Sequence, residues 1–513
     1  MRPNATLWKA NFIAFDSSFC VMVIELIAAR MLAPYIGVSL YTWTSIIGVI
    51  LAGIALGNYL GGRVADRWAS PLVLGAIFLG GGVATMAILP AIKLSGAIHL
   101  PSGWPLMALF VVRVAVIFLI PSIVLSMVSP VVIKLALADL GRTGGVVGTV
   151  YAFSTAGSIL GTFLTGFYFI LWFGTRSIVW TVAAVLILTG VLVWFLWRSP
   201  RTWKPRWKRP ALLGAALVVV LSYAGLMQAK PVWSVNYVME SNYYTIQVWD
   251  EPENTRVLVL DHLVHSYVKL GDPYKLEYGY VKVFREYSDY VLQGNPSPKV
   301  LHLGGGGYSF PHYIEAAYPG SINDVIEIDP AVTLVAHQYL GLPYDTTIKT
   351  YNMDARLFLI EGVSQQKYDI VIGDVFNDYA TPYHLTTLEF DQALKEVMKP
   401  DGVYLLNIID QYKDGRYMPS MIHTLQQVFR NIYLFSVVPS WDWPGRATFV
   451  IAATDRELDF NAYQAFVTEG GTKQAQGNMH NPAALEMYLA ERQPILLTDD
   501  HVPTDILMAE ILR

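Results

Sequence analysis

Four consecutive glycines, Gly304 to Gly307, follow the apolar stretch KVLHL and precede a segment with helical spacing. A turn that leaves the carboxyl end of a parallel strand needs positive φ angles and close backbone approach to a ligand, and glycine permits both. Glu327 ends the next predicted strand, at the spacing where an acidic side chain accepts hydrogen bonds from ribose hydroxyls, with Asp329 as the alternative. The glycines and this acid together predict a nucleoside-binding turn.

Two more carboxylates follow the next two predicted strands. Asp354 lies in MDAR, directly before Ala355, and we expect it to accept a hydrogen bond from an exocyclic amine such as that of adenine. Asp374 ends the stretch YDIVIGD at the same predicted sheet edge. An isolated acid at such a position is typical of a helix cap, but acids at successive strand ends together indicate a nucleoside pocket. Because no phosphate-binding GxGxxG spacing is present, an S-adenosylmethionine-type cosubstrate is favoured over a dinucleotide.

Apolar stretches rich in β-branched residues predict the sheet that positions these side chains. Strands alternate with helices in the manner of a doubly wound, Rossmann-like (methyltransferase-type) α/β domain. Before it, NYYTIQVWD and RVLVLDHLVHSYV flank the turn EPENT and predict a small antiparallel β subdomain, with a helix expected over 275–292. The predicted strands of the larger sheet are 299–304, 324–329, 348–352, 368–374, 402–408, 431–437 and 447–453.

The first part of the chain has a different composition. The 513 residues are 54% hydrophobic, and up to residue 229 there are 16 Lys and Arg against four Asp and Glu, whereas the remainder has 20 against 36. Apolar runs of about 20 residues are long enough to cross a bilayer. They predict an α-helical multi-pass membrane domain over 1–229, followed by the β subdomain over 230–295 and the Rossmann-like domain over 296–513. The predicted spans are 12–33, 41–62, 71–92, 106–128, 148–171, 176–197 and 210–227.

Basic residues in short loops predict the orientation of these spans. Arg63 and Arg67 follow the second span, Arg142 follows the fourth, and six Lys and Arg residues between 198 and 209 follow the sixth. All three loops lie on one side, which is therefore expected to be cytoplasmic. Seven spans then deliver the C-terminal part to the outer face of the cell membrane, where nucleoside cosubstrates are not normally found. Either that part works outside, or one span, most readily the short last one, does not cross.

The order of several motifs resembles the spermidine synthase family of aminopropyltransferases. Six motifs that carry this resemblance occur in order within residues 235–455, namely ESNYYTIQV, RVLVLD, LGGGG, VIEIDP, MDAR and YDIVIGD. The resemblance is closest to the members in which transporter-like helices precede the synthase domain. GNYLGGRVADRW, residues 57–68, is in turn similar to the loop between the second and third helices of major facilitator transporters.

The resemblance implies a role for each carboxylate. Glu327 would bind ribose, Asp354 with Ala355 would bind adenine, and Asp374 would lie next to the reacting centre. The cosubstrate would be decarboxylated S-adenosylmethionine or S-adenosylmethionine itself, with methylthioadenosine as a product and with no permanently bound cofactor. The family also commonly dimerises, which implies a homodimer here.

Displacement at a carbon next to a sulfonium requires a base when the attacking group is an amine. The amine is protonated at neutral pH, so a carboxylate must accept its proton, and Asp374 is the candidate. Aromatic faces attract a cationic chain, so tyrosines near the pocket are candidates to line it. The predicted acceptor-binding residues are Tyr243, His265, Tyr278, Asp378 and Tyr379.

The acceptor side departs from the family pattern. Asn377 or Asp378 stands near the family's second aspartate, the family's Tyr-His-Glu segment is Tyr-Gly-Tyr at 278–280, and His265 takes the place of a glutamine. These groups hold the diamine acceptor in the family, whereas the nucleoside-binding positions are retained.

Three functions are therefore open. The first is a membrane-bound aminopropyltransferase that forms spermidine or a related polyamine, which the acidic balance of the second half suits. The second is an acceptor-independent S-adenosylmethionine lyase or cyclase that releases methylthioadenosine, and the third is a non-catalytic nucleoside or polyamine sensor or transporter. The single cysteine, Cys20, excludes a disulfide framework and a cysteine-based metal site, and no nucleic-acid motif or metal site is predicted.

Overall fold

The structure is a computed structural model that describes most of the chain. The described residues are 3–36, 39–97, 106–137, 143–197, 235–376, 381–438, 440–469 and 477–508. The chain divides into two compact units, Met1–Trp233 and Ser234–Arg513.

The described residues of the first unit are almost all helical, with short connections between the helices. Six of its helical stretches are long and apolar enough to cross a membrane. The seventh predicted span, 210–227, lies outside the described residues. A π-helical turn at Thr165–Phe169 separates α6 from α7. The helices are α1 (Pro3–Ile36), α2 (Leu40–Trp68), α3 (Pro71–Ala97), α4 (Leu106–Ser126), α5 (Val128–Ala136), α6 (Thr143–Leu164) and α7 (Ile170–Leu196).

Glycines bring the backbones of α2 and α4 into direct contact. A Cβ added at Gly57 would lie 2.3 Å from the carbonyl oxygen of Ile123, and one at Gly61 would lie 2.7 Å from the Cα of Met127, the residue that follows α4. Small residues at such spacing allow close helix packing in membranes. The second span was predicted to end at 62 with Arg63 and Arg67 in the following loop, whereas α2 continues to Trp68 and carries both residues.

The second unit begins with a small antiparallel sheet, as predicted. Its order is β1-β2-β3-β4, and its apolar face packs on Val332 and Val335 of the following domain. A helix, α8 (Gly279–Val291), leads into the larger sheet and lies within the range expected from the sequence. The strands are β1 (Val235–Glu240), β2 (Thr245–Glu251), β3 (Thr255–Leu260) and β4 (Leu263–Lys269).

The larger sheet has the order β12-β10-β11-β9-β8-β5-β6-β7, in which β9, β8, β5, β6 and β7 are parallel. This confirms the prediction of a Rossmann-like, methyltransferase-type fold. The strands are β5 (Lys299–Leu303), β6 (Ile322–Ile326), β7 (Lys349–Tyr351), β8 (Tyr368–Gly373), β9 (Met398–Asp410), β10 (Asn431–Ser436), β11 (Ala447–Thr454) and β12 (Asn478–Met479).

Helices cover both faces of this sheet. Along β5 the buried side chains alternate, so that Val300 joins the core on one face and Leu301 and Leu303 join the core on the other. The helices of the domain are α9 (Ser309–Ala317), α10 (Pro330–Tyr339), α11 (Ala355–Ile360), α12 (Leu388–Glu396), α13 (Tyr417–Leu425), α14 (Phe460–Glu469), α15 (Pro482–Arg492) and α16 (Thr504–Met508).

The chain reverses its winding direction at β5. From β5 it moves outward to β6 and β7, and then returns to the other side of β5 to form β8 and β9. Ligands of open α/β sheets bind at such a switch point, beyond the carboxyl ends of the strands. The loops that follow β5, β6, β7 and β8 carry the four predicted site segments.

Candidate active site

The glycine loop lies at the switch point between β5 and β8. Gly304 has φ +89°, and a Cβ there would lie 2.2 Å from the carbonyl oxygen of Asp374, so only glycine fits. On the other side of the loop, the Gly307 N–H donates a 2.9 Å hydrogen bond to the hydroxyl of Ser266 on β4. The loop is therefore held between the end of β8 and the small sheet.

Glu327 directly follows β6 and is bound by the glycine loop. Its Oε2 accepts hydrogen bonds from the N–H groups of Gly305 (2.8 Å) and Gly306 (3.3 Å), and its Oε1 accepts one from the N–H of Asp329 (2.9 Å). The side chain is buried, which raises the pKa of the carboxyl group, while these three backbone donors act in the opposite direction. A carboxylate has about four acceptor positions, so one remains for a ligand hydroxyl.

Asp329, the alternative ribose acceptor, has a structural role instead. It is the N-cap of α10 and accepts a 2.9 Å hydrogen bond from the N–H of Ala331. Its second oxygen accepts a short hydrogen bond from the hydroxyl of Ser241, which joins the small sheet to the larger domain. Both oxygens of this fully buried side chain are thus engaged by protein groups.

Asp354 follows β7 and is the N-cap of α11. Its Oδ1 accepts from the N–H groups of Arg356 (2.9 Å) and Leu357 (3.1 Å), and its Oδ2 lies 2.8 Å from Nε2 of His384. Ala355 is the first residue of the helix and is buried. The carboxylate is partly exposed at the same sheet edge as Glu327, with His384 as a neighbour that the sequence did not assign to it.

Asp374 follows β8 and is held by two neutral donors. The amide of Asn407 donates a 2.9 Å hydrogen bond to Oδ1, and the hydroxyl of Tyr280 donates a 2.8 Å hydrogen bond to Oδ2. Burial raises the pKa of this carboxyl group, and the two hydrogen bonds and the nearby His265 oppose that rise. The carboxylate therefore has a fixed orientation and a greater affinity for a proton than an exposed aspartate.

His265 connects the small sheet to the loop after β8. Its Nδ1 lies 3.0 Å from the carbonyl oxygen of Leu263 and its Nε2 lies 3.2 Å from that of Phe376. A neutral imidazole can donate from only one of these nitrogens. The ring lies between two carbonyl oxygens, so in the neutral form only one of the two contacts is a hydrogen bond.

The predicted tyrosines occupy different environments. Tyr278 packs on Tyr280 with ring centroids 4.9 Å apart, and its hydroxyl donates to the carbonyl of Val264 at 3.3 Å. Tyr243 is 44% exposed and has Tyr244 as its aromatic neighbour, with ring centroids 6.4 Å apart. Asp378 and Tyr379 lie outside the described residues.

Two residues at the site were not predicted as part of it. From the sequence, Tyr280 is only a departure from a family motif, and Asn407 falls in a predicted apolar strand without a role. A polar side chain in the otherwise apolar stretch YLLNI was the available signal for Asn407, because a buried amide requires a partner. Pairing of Gly373 with Leu406 brings that amide next to Asp374.

Part of the second unit is similar in sequence to known proteins. Residues 291–462 match the family model described as the spermine/spermidine synthase domain. The chain is 30% identical over 161 residues to a polyamine aminopropyltransferase of Vibrio vulnificus, which covers 30% of this chain and 53% of that protein. It is 28% identical over 145 residues to the human eEF1A lysine and N-terminal methyltransferase, covering 26% of this chain and 20% of that protein. The chain thus spans about half, or less, of the length of these relatives.

Among solved structures, a probable spermidine synthase from Corynebacterium glutamicum is similar, with a TM-score of 0.45 and 19% identity over 52% of this chain and 97% of that one. The family resemblance seen in the motifs is confirmed by the match over residues 291–462. Residues 291–462, which lie within the second unit, are thus similar to the spermine/spermidine synthase domain.

Proposed function

We propose that this protein is a membrane-bound aminopropyltransferase-type enzyme. It transfers the propylamine chain of decarboxylated S-adenosylmethionine to an amine and releases methylthioadenosine. The observation that carries this proposal is the position of Asp374, a partly buried carboxyl group held by two neutral donors beside the glycine loop.

The glycine loop with Glu327 and Asp354 forms the side of the site that we call the nucleoside side. Glu327 retains acceptor capacity for a ribose hydroxyl after its three backbone hydrogen bonds. Asp354 presents a partly exposed carboxylate at the end of the next strand, where it would accept from the adenine amine. Asp329 is left out of this assignment, because its oxygens are used by Ala331 and Ser241.

The other side of the site, which we call the reacting side, consists of Asp374, Tyr280, Asn407 and Tyr278. The amine nitrogen attacks the methylene carbon bonded to the sulfonium, the carbon–sulfur bond breaks, and its electron pair stays on sulfur in neutral methylthioadenosine. The proton of the incoming ammonium passes to Asp374. A raised pKa favours this transfer, because a general base works best when its pKa approaches the working pH.

The six long apolar helices support attachment to a membrane. The orientation inferred from the basic loops, with the second unit at the outer face, and the homodimer implied by the family both remain predictions. Fusion of a reporter protein to the C-terminus tests the orientation independently of catalysis.

A second candidate function is an acceptor-independent lyase or cyclase. It is favoured by the two neutral partners of Asp374, because within the described residues no second carboxylate contacts Asp374 to help hold a diamine. In that reaction an amine or carboxylate of the sulfonium compound itself displaces methylthioadenosine.

One experiment separates these functions. The detergent-solubilised full-length protein is incubated with decarboxylated S-adenosylmethionine, with S-adenosylmethionine, and with each in the presence of an amine, and methylthioadenosine is followed by mass spectrometry. Release that depends on the amine supports the transferase, whereas equal release without an amine supports the lyase. Absence of release in all mixtures contradicts both.

The Asp374→Asn variant tests the role of the base. We expect kcat to fall by about 10²–10⁴-fold, the range for loss of a general base. Asp289→Asn is the matched control, since Asp289 on α8 is also a partly buried carboxylate that accepts from two tyrosines, Tyr313 and Tyr318. Full activity of Asp374→Asn would contradict the assignment.

A further inference from the structure

The loop between β10 and β11 ends beside the reacting side of the site. Ala447, the first residue of β11, pairs with Asp410 at the end of β9, and Asn407 lies three residues earlier on β9. Asn407 binds Asp374, so this end of β9 lies at the carboxyl edge of the sheet. Arg446 directly precedes Ala447 in the chain, and it is therefore placed at the same edge, beyond the catalytic carboxylate.

Aromatic packing holds Trp441, a residue of this loop. The ring of Trp441 lies 5.0 Å from that of Tyr412, 4.7 Å from that of His480 and 6.0 Å from that of Phe449, measured between centroids. Along the chain, Arg446 therefore lies between Trp441, which this packing holds in place, and the first residue of β11, an interior strand of the sheet.

The start of the same loop packs on the segment that carries Tyr278. A Cβ at Gly279 would lie 3.5 Å from the Cβ of Val437, so the loop and the first turn of α8 are in contact. Burial raises the pKa of the Tyr278 hydroxyl, Asp374 acts in the same direction, and Arg446 acts in the opposite direction. The charges of Asp374 and Arg446 thus act on the Tyr278 hydroxyl in opposite directions.

Arg446 carries a charge that other groups of its loop do not neutralise. Asp442, the acid of the loop, forms a 3.3 Å ion pair with Lys413. Among the described residues, Arg446 forms no ion pair with a carboxylate, and its side chain is exposed at the sheet edge. Among the described residues, the reacting side therefore has Asp374 as its carboxylate, and the cationic residue Arg446 lies at the same edge of the sheet.

This charge arrangement does not suit a diamine acceptor. With one ammonium group at Asp374, the second would meet the guanidinium of Arg446, and like charges repel. A carboxylate at that position would instead accept two parallel hydrogen bonds from the planar guanidinium.

We propose that Arg446 binds a carboxylate group of the substrate. The inference rests on the proposed function and names its substrate class, an amine whose chain also bears a carboxylate. Two sources supply that group, namely an amino-acid acceptor or the α-carboxylate of intact S-adenosylmethionine. In either case an amine nitrogen forms the new bond to carbon, the carbon–sulfur bond breaks, methylthioadenosine leaves, and Asp374 takes the proton.

The test compares substrates in the full-length protein by methylthioadenosine release. The mixtures contain decarboxylated S-adenosylmethionine with putrescine, the same donor with 4-aminobutyrate, and S-adenosylmethionine with putrescine. If the acceptor supplies the carboxylate, we expect 4-aminobutyrate to exceed putrescine in kcat/KM. If the donor supplies it, S-adenosylmethionine exceeds its decarboxylated form. Preference for decarboxylated donor with putrescine overturns the proposal.

Variants of Arg446 show whether this residue sets the preference. Arg446→Gln should lower kcat/KM for the carboxylate-bearing substrate by about tenfold to a hundredfold, as expected for loss of a charged hydrogen bond, and Arg446→Glu should shift the preference towards putrescine. Arg430→Gln is the control, because Arg430 lies just before β10 at the opposite end of the strands. An unchanged substrate ratio in both Arg446 variants overturns the proposal alone, whereas absence of methylthioadenosine in every mixture overturns the proposed function with it.

Discussion

The nucleoside side and the reacting side of the site are built in different ways. On the nucleoside side, backbone N–H groups of nearby loops and helix ends hold Glu327 and one oxygen of Asp354, whose other oxygen contacts His384. On the reacting side, Asp374 is held by the side chains of Tyr280 from α8 and Asn407 from β9. The first arrangement follows from a local strand–loop–helix order, so it persists when side chains change. The second depends on which side chains distant segments supply, so it can be adapted to another acceptor.

Gly304 joins the two sides, and replacing it should have the largest effect. Gly304→Ala places a Cβ against the carbonyl oxygen of Asp374 at a φ of +89°, so both the loop and the base must move. We expect a loss of stability on the order of 4 kcal/mol and loss of methylthioadenosine binding, measured by thermal unfolding and by calorimetry of the solubilised protein.

Gly271→Ala is the matched control for this substitution. Gly271 has a similar φ of +79°, but its added Cβ meets no atom within 4 Å. We expect only the cost of the positive φ, about 1–2 kcal/mol. Equal destabilisation by the two variants would show that the close approach of Gly304 to Asp374 is unimportant.

Tyr280→Phe tests the reacting side alone. The hydrogen bond from Tyr280 favours the ionised form of Asp374, so its loss should raise the pKa of that carboxyl group further. We expect kcat to fall about tenfold and the acidic limb of the pH–rate profile to move to higher pH, while binding of methylthioadenosine is retained.

Tyr313→Phe is the control, since Tyr313 donates to Asp289 in the same manner but does not contact Asp374. If the pH–rate profiles of Tyr280→Phe and the unmodified protein coincide, Tyr280 has no role in catalysis and only packs in the core.

Replacing Asp410, at the end of β9, should have the smallest effect on the site, but it should change how the stability of the protein depends on pH. Its carboxyl group accepts from the N–H groups of Gln411 and Met418, and burial raises its pKa to about 7. The folded protein therefore binds a proton that the unfolded chain releases near pH 4, and stability falls as pH rises from about 4 to about 7.

Asp410→Asn should remove this dependence. The difference in stability between the two proteins should change by at most about 4 kcal/mol over that range, measured as Tm against pH, with activity near neutral pH affected less than in the other variants. Parallel Tm curves for the two proteins would show that Asp410 does not titrate in this range.

Much of the second unit was predictable because its signals are local. YDIVIGD predicted a strand over 368–374, and β8 is Tyr368–Gly373. The glycine run marked the loop at the switch point, because only glycine fits where Gly304 meets Asp374.

The remaining features depend on contacts between distant segments. Asp329 and Glu327 are alternatives by spacing, and the hydrogen bond from Ser241, distant in sequence, occupies the oxygen of Asp329 that its cap to Ala331 does not use. Tyr280 and Asn407 meet at Asp374 because of strand register and helix packing, which neither residue's neighbours in sequence indicate. Hydropathy ended the second span at residue 62, whereas its helix continues through charged residues to Trp68.

Equilibrium binding of methylthioadenosine tests the division of the site most directly. The solubilised full-length protein is compared with Glu327→Ala, Asp374→Asn and Glu315→Ala, the last being a carboxylate that also accepts a backbone N–H but lies on α9. The account predicts that Glu327→Ala weakens binding by about tenfold or more, while Asp374→Asn and Glu315→Ala bind nearly as well as the unmodified protein. Undiminished binding by Glu327→Ala would contradict the account.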